Sequence, residues 1–332
     1  MSETIESMPA EAPPSGPLLR FWRHPITQML AKIVFFLLVA ALLGYLLHKL
    51  IVLPSHAAEA DPMAAAMSET GAAPWLRQLR SLLPLAIAYW LMVRVVERRK
   101  VSEFAPRKAP LHLATGWLTG MAIMVAAAGA LSLPGYYSVA GTNAGVALLT
   151  PFLVLGVQPG VGEEIISRGI LFRVVEECFG SWAAVVFSGA LFGLAHIANP
   201  NSSVWMALAI AVEAGFLLGM AYAWTRSMWF VVALHAAWNF TQGPLLGIPV
   251  SGISLTGLLN STLQGPPALS GGRFGAEGSL ITVLICVALG VFFAHRAIKA
   301  GRIVPPYWRR RLPGGGIALP RFEAGAPGLR SP

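Results

Sequence analysis

The residues able to do chemistry in this chain are few and fall in three short segments. Glu163, Glu164 and Arg168 form the first, His196 stands in the second, and His235 with Asn239 forms the third. On a helix turning about 100° per residue, Glu164 and Arg168 at i, i+4 share a face and can form an ion pair. Glu163 points towards a different neighbour. One glutamate is then held by the arginine while the other stays free to act as a general base. His235 and Asn239 are also i, i+4 and line one strip of their helix. A cavity lined by a carboxylate, two imidazoles and an amide can activate water against an amide bond. The glutamate takes the water's proton, the imidazoles bind a metal or donate hydrogen bonds, and Asn239 stabilises the oxyanion.

Each of these residues also has a simpler reading. Glu164 and Arg168 can be a buried ion pair that only keeps helices in register. His196 or His235 alone can be an interhelical hydrogen-bonding group. Glu213, with no obvious partner, reads as a structural or cavity-lining acid. Glu176 and Glu177 read as a solvated interfacial cap. The three segments together, each on a different predicted helix, are what favours a site.

The elements that must position these groups are membrane helices. Only 12% of the 332 residues are charged, 55% are apolar and the mean hydropathy is +0.64. Soluble domains carry roughly 25% charge, and several stretches here reach the roughly 20 apolar residues that cross a bilayer core. The fold class expected is all-α, a polytopic membrane helix bundle of eight passes. The predicted spans are 31–53, 82–96, 109–133, 145–177, 182–198, 204–224, 228–246 and 280–294. Pro134-Gly135 marks a turn, and the long fourth span is expected to kink or break at Pro151 or Pro159.

The net charge of +9 is confined to two places. Residues 97–108 hold five basic side chains against Glu97 and Glu103, a balance of +3, and 296–311 hold six basic side chains and no acid. Basic residues flanking apolar spans mark cytoplasmic loops rather than a nucleic-acid face. Eight passes place both termini in the cytoplasm, with Arg20, Arg23 and Arg226 on the same side and His196 towards the outer end of its span. Lys32, Lys49, Arg94 and Arg173 fall at span ends. The organisation expected is a disordered segment at 1–20, N-terminal membrane helices over 21–144, a catalytic core over 145–300 and a disordered basic tail over 301–332. Cys178 and Cys286 are too few for a disulfide framework or a cysteine zinc site.

Glu163-Glu164-x-x-x-Arg168-Gly169, Phe192-Gly193-x-x-His196 and His235-x-x-x-Asn239 closely resemble the three signature motifs of the CAAX prenyl protease type II and bacteriocin-processing family of intramembrane proteases, also called CPBP or Abi. The resemblance covers roughly 145–300 and includes the stretch Gly271 to Ser279. It implies an eight-helix intramembrane endopeptidase in which Glu163 is the general base. Glu164 and Arg168 would be its supporting pair, and His196, His235 and Asn239 would bind water, metal or the oxyanion. The implied partners are the lipid bilayer and a membrane-associated peptide or protein, lipidated (prenylated) or secreted. The implied location is a bacterial inner membrane. The family is named for a metalloprotease, and a metal-free, glutamate-activated water has also been argued for it. His196, His235 and Glu163 are a sufficient ligand set for Zn2+ or another divalent ion, but they lack the HExxH spacing.

Other intramembrane protease chemistries are absent from the sequence. Asp61 is the only aspartate, no histidine is followed by glutamate, and no GxSG loop occurs. The non-enzymatic alternatives are a proton-coupled transporter or channel, whose intramembrane Glu, Arg and His would form a relay, and a catalytically idle scaffold or immunity protein. The lack of paired, inverted broken helices in the two halves counts against a transporter.

Overall fold

The computed structural model describes residues 24–53 and 62–310, together with Leu18, Phe21 and Trp22. Apart from Leu18, the 1–20 segment lies outside the described residues, as do Asp61 and the tail beyond 310.

Seven helical elements carry the architecture. They are α1 (Pro25–Leu50), α2 (Ala73–Val96), α3 (Ala109–Ser132), α4 (Leu149–Ala198), α5 (Val204–Thr225), α6 (Met228–Phe240) and α7 (Leu280–Lys299). A two-stranded antiparallel ribbon joins β1 (Tyr137–Thr142) to β2 (Leu259–Leu263). Six of the helices are long and apolar enough to cross a membrane. The count of eight passes is therefore not established. α4 meets the criterion as one 50-residue run, although its backbone breaks at Gly180 with φ 84° and ψ 171°. α6 continues through a π-helical turn to Leu245, but the polar side chains it carries, His235 and Asn239 among them, keep it out of that group.

The break in α4 falls at Gly180 and not at either proline. Pro151 lies in the first turn, where a missing N–H is tolerated. Pro159 has no N–H to give to the carbonyl of Leu155, four residues earlier, and Asn239 Nδ2 donates to that oxygen at 2.9 Å instead. At Gly180 a Cβ would stand 2.7 Å from Val304 O, so only glycine lets the chain after α7 lie this close. Residues 301–310, expected to belong to the basic tail, form this strap. Ser181 N donates to Val304 O at 2.9 Å and Arg310 Nη2 donates to Glu176 O at 2.9 Å.

Small residues set the helix spacing that the site depends on, because apolar contact with lipid offers no incentive for helices to associate and close backbone packing does. A Cβ on Gly116 or Gly120 of α3 would lie 2.3 or 2.2 Å from the carbonyl of Phe230 or Leu234 in α6. Gly160 of α4 meets α6 at Ala236 in the same way. Thus α6 is seated between α3 and α4. On the second limb of α4, Gly189 packs against Gly215 of α5, and a Cβ on Gly193 would lie 2.3 Å from Ala207 O. Gly193→Val is expected to cost about 1–3 kcal/mol, the usual range for overpacking, and to displace His196 three residues on. Denaturant unfolding in detergent and a loss of peptide cleavage would register both effects.

The two ends of the bundle differ chemically. One end is a buried ion-pair network. Arg173, fully buried, lies 2.6 Å from Glu97 and 3.4 Å from Glu177, Lys32 pairs with Glu177, and Arg99 pairs with Glu97 and Glu103. Arg226 holds Glu176, with Nη2 to Oε1 at 2.9 Å. Burial alone would raise the Glu97 carboxyl, but Arg173 and Lys32 beside it hold it below the usual carboxylate range. Glu176 and Glu177 are therefore not a solvated cap, and Arg173, read as a span-end residue, is fully buried among them. All three are desolvated because each has an opposite charge from another element, the condition under which buried charge is tolerated. The other end gathers the β ribbon, residues 196–203 and the 247–279 segment. Asn199 Nδ2 donates to Ser251 O at 3.2 Å, and Trp205 Nε1 donates to Gly278 O at 2.8 Å.

Candidate active site

The three sequence motifs converge below this second end. Glu164 lies on α4 with its carboxylate fully buried. Arg168 Nη1 donates to Glu164 Oε1 at 2.9 Å, and His235 Nδ1, from α6, reaches the same oxygen at 2.9 Å. Arg168 Nη2 donates to the Ala214 carbonyl of α5. That carbonyl lies in the π-helical run Ala211–Leu218, and Arg168 lies in another, Ile165–Phe172. π turns of this kind recur at functional sites, and here they join α4 to α5 through a guanidinium.

Glu163 is oriented differently from its neighbour. Its side chain is 38% exposed, and its Oε2 lies 4.0 Å from His196 Nε2. His196 Nδ1 is 2.8 Å from the carbonyl of Phe192. A carbonyl only accepts, so Nδ1 carries the proton and the neutral ring presents a lone pair at Nε2 towards Glu163. His235 is held in the same tautomer by Glu164. The Phe192 ring stacks on His196 with centroids 4.7 Å apart, and Arg168 Cζ lies 5.4 Å from its centre. Phe192 thus keeps the guanidinium and the imidazole apart while its carbonyl orients the latter. Asn239 spends one amide hydrogen on Leu155 O and keeps the other.

Glu163, His196, His235 and Asn239 line a cleft of about 360 Å3 whose other walls come from α2 (Ser81, Leu82, Leu85), from α4 (Leu155, Gln158) and from Val250, Ser251 and Ile253. Behind it lies a second, smaller cavity of about 30 Å3. His196, His235, Asn239 and Ser251 line both, and Glu213 and Glu277 line the smaller one alone. All six predicted site residues are therefore brought together, with Glu164 and Arg168 beneath the cleft and the other four on its surface.

Glu277 was not among the residues singled out from sequence. It is buried, and its Oε1 accepts from Ser251 Oγ at 2.6 Å and from Ser251 N. Burial pushes its carboxyl up despite the hydrogen bonds from Ser251 and Gln242. The signal available was that Arg273 and Glu277 are the sole charged residues of the 247–278 stretch.

The arrangement can be tested for a divalent metal. Both imidazoles donate Nδ1–H to an oxygen acceptor and leave Nε2 free, which is how metal-binding histidines are usually held. The third requirement fails: among the described residues no three His, Cys, Asp or Glu side chains converge closely enough to hold an ion. The described residues as positioned do not form a metal shell.

Comparison with protein families matches residues 145–241 to a model described as Type II CAAX prenyl endopeptidase Rce1-like. Comparison with curated proteins yields no match. The matched segment contains all six motif residues and ends before the 247–279 segment that supplies Ser251 and Glu277.

Proposed function

We propose that this chain is an intramembrane endopeptidase in which Glu163 activates the hydrolytic water, a reading supported by the match of residues 145–241 to a model described as Type II CAAX prenyl endopeptidase Rce1-like. The observation that carries this reading is the division between adjacent glutamates. Glu164 is fully buried and occupied by Arg168 and His235, whereas Glu163 faces the cleft with Oε2 4.0 Å from His196 Nε2. That gap is too long for a direct hydrogen bond; Oε2 itself is covered by protein and has no hydrogen-bond partner among the described residues, so a water in the cleft meets the other oxygen, Oε1, of this part-exposed carboxylate.

A water there donates one hydrogen to Glu163 Oε1, which leaves an oxygen lone pair aimed into the cleft. Attack on a peptide carbonyl transfers the water proton to Glu163. The free amide hydrogen of Asn239 faces the developing oxyanion, where a preorganised donor is worth most. Glu163 then returns the proton to the leaving amine. The Glu164–Arg168 pair fixes the tautomer and orientation of His235 and takes no proton. A metal-free route is the simpler one for this donor set.

The cleft lies at the end opposite the ion-pair network and the basic residues of 97–108 and 296–310. Under the positive-inside rule those segments are cytoplasmic, so the cleft opens to the other face. The substrate proposed is a membrane-associated peptide presented at that face, rather than a prenylated chain arriving from the cytoplasm. The test uses the purified protein in liposomes with a membrane-anchored peptide, after exhaustive chelation and in 18O-water. Cleavage with one 18O in the new carboxyl group is expected. Cleavage that stops on chelation and returns with Zn2+ would overturn the metal-free route. Absence of cleavage together with proton flux would favour a transporter. A cysteine placed at Asn201 should react with a membrane-impermeant maleimide in intact cells, and one at Arg98 should not.

A further inference from the structure

Two buried acids beside the cleft, Glu213 and Glu277, take no part in the hydrolysis. Glu213, on α5, is 1% exposed, and neither of its carboxylate oxygens has a protein partner. It faces the small cavity behind the cleft, together with Glu277, His196, His235, Asn239 and Ser251. A polar group this deep in a helix bundle must be hydrogen-bonded, by protein or by water. The cavity offers about 30 Å3, and each water needs roughly 10–15 Å3 measured this way and two to four polar partners. Its walls supply those partners. It is therefore a place for about two waters, while an apolar cavity of the same size would stay dry.

We propose that this chamber is a water-holding site, anchored by Glu213 and by Glu277 across from it, that supplies the hydrolytic water. The inference rests on the protease reading above. An enzyme whose cleft lies among membrane helices must replace one water per turnover, and an apolar substrate seated in the cleft displaces solvent from its mouth. His196, His235, Asn239 and Ser251 belong to both cavities, so a water leaving the chamber passes between the two imidazoles to the cleft beside Glu163. Glu213 touches neither substrate nor the reacting atoms in this scheme and acts as a positioning residue for water.

Two independent measurements test it. The first, radiolytic hydroxyl-radical footprinting of the wild-type protein in nanodiscs, needs no protease activity. Trp238 lines the chamber and is only 8% exposed, so it is oxidised efficiently only if ordered water lies against it. Labelling at the level of an exposed tryptophan is expected, with a fall of about fivefold in Glu213→Leu, which replaces a water-binding group with an apolar one. An unlabelled Trp238 would overturn the chamber while leaving the protease reading intact. The second is kinetic. Glu213→Leu is expected to lower kcat about tenfold with KM unchanged, and Glu213→Gln, which still binds water, to stay within about threefold of wild type. Equal losses in both variants, a change confined to KM, or a rate that requires added Na+ would overturn the proposal. If the Leu variant does not fold, the wild-type footprint and the Gln variant still decide it. If the wild-type protein cleaves no membrane-anchored peptide, the protease reading fails instead, whatever Trp238 shows.

Discussion

Glu163→Gln is expected to abolish peptide hydrolysis, with a loss of about 10²–10⁴ in kcat, the range for removing a general base, and to leave the fold unchanged. The substitution keeps the volume and the hydrogen-bonding capacity of the side chain and removes only its ability to accept a proton. Among the described residues Glu163 makes no ion pair with an arginine or lysine within 4 Å; its contact is with the neutral ring of His196, at 4.0 Å. Thermal unfolding of the variant in detergent should coincide with wild type while single-turnover cleavage disappears. Comparative proteomics of cells carrying either form would then reveal the substrate as the peptide that accumulates uncleaved. Wild-type turnover in Glu163→Gln would remove this residue from the mechanism and leave no free carboxylate in the cleft to replace it.

Arg168→Met should do the opposite and break the structure. Arg168 is fully buried; it neutralises Glu164 and ties α4 to the Ala214 carbonyl of α5. Removing it leaves a carboxylate at 0% exposure with only His235 for company. Deleting one partner of a buried pair typically costs about 3–5 kcal/mol. The loss should show as a lower unfolding midpoint in a denaturant titration, together with loss of the His235 orientation and hence of activity. The double variant Arg168→Met, Glu164→Gln should recover a large part of the stability, because the stranded charge is gone, but not the activity. Equal stability of single and double variants would mean that the pair does not carry this energy. The two adjacent glutamates thus separate experimentally: one variant loses chemistry without stability, and the other set loses stability first.

Much of this was open to reading along the chain. Scarcity of charge placed the chain in a bilayer, and spacing at i, i+4 separated Glu163 from Glu164 before any coordinates. The rest depended on neighbours far away in sequence. Glu176 and Glu177 read as solvated because their partners, Arg226, Lys32 and Arg173, come from other elements or from a position assigned to a span end. Pro151 and Pro159 read as places for a kink or break; the helix between them turns π-helical over Phe152–Val157 and Asn239 takes the carbonyl that Pro159 leaves free, while the non-helical backbone falls at Gly180 where a distant strap crosses. Hydropathy reads eight passes; among the described residues six helices are long and apolar enough to cross, with α6 left out by its polar residues and the two limbs of α4, broken at Gly180, taken as one run, so length and hydropathy do not decide the count of eight.

By itself, the sequence determined the fold class, the basic end and the identity of the groups that can do chemistry. A membrane helix tolerates ionisable side chains so poorly that their positions are informative without a structure. The tertiary structure alone decided that His235 serves Glu164 and not Glu163, that His196 reaches the free glutamate, and that Glu213 and Glu277 close a chamber behind them. Those outcomes depend on how closely helices approach at Gly120, Gly160, Gly189 and Gly193, and on how loops cross one end of the bundle. Periodicity within a single helix carries no information about either.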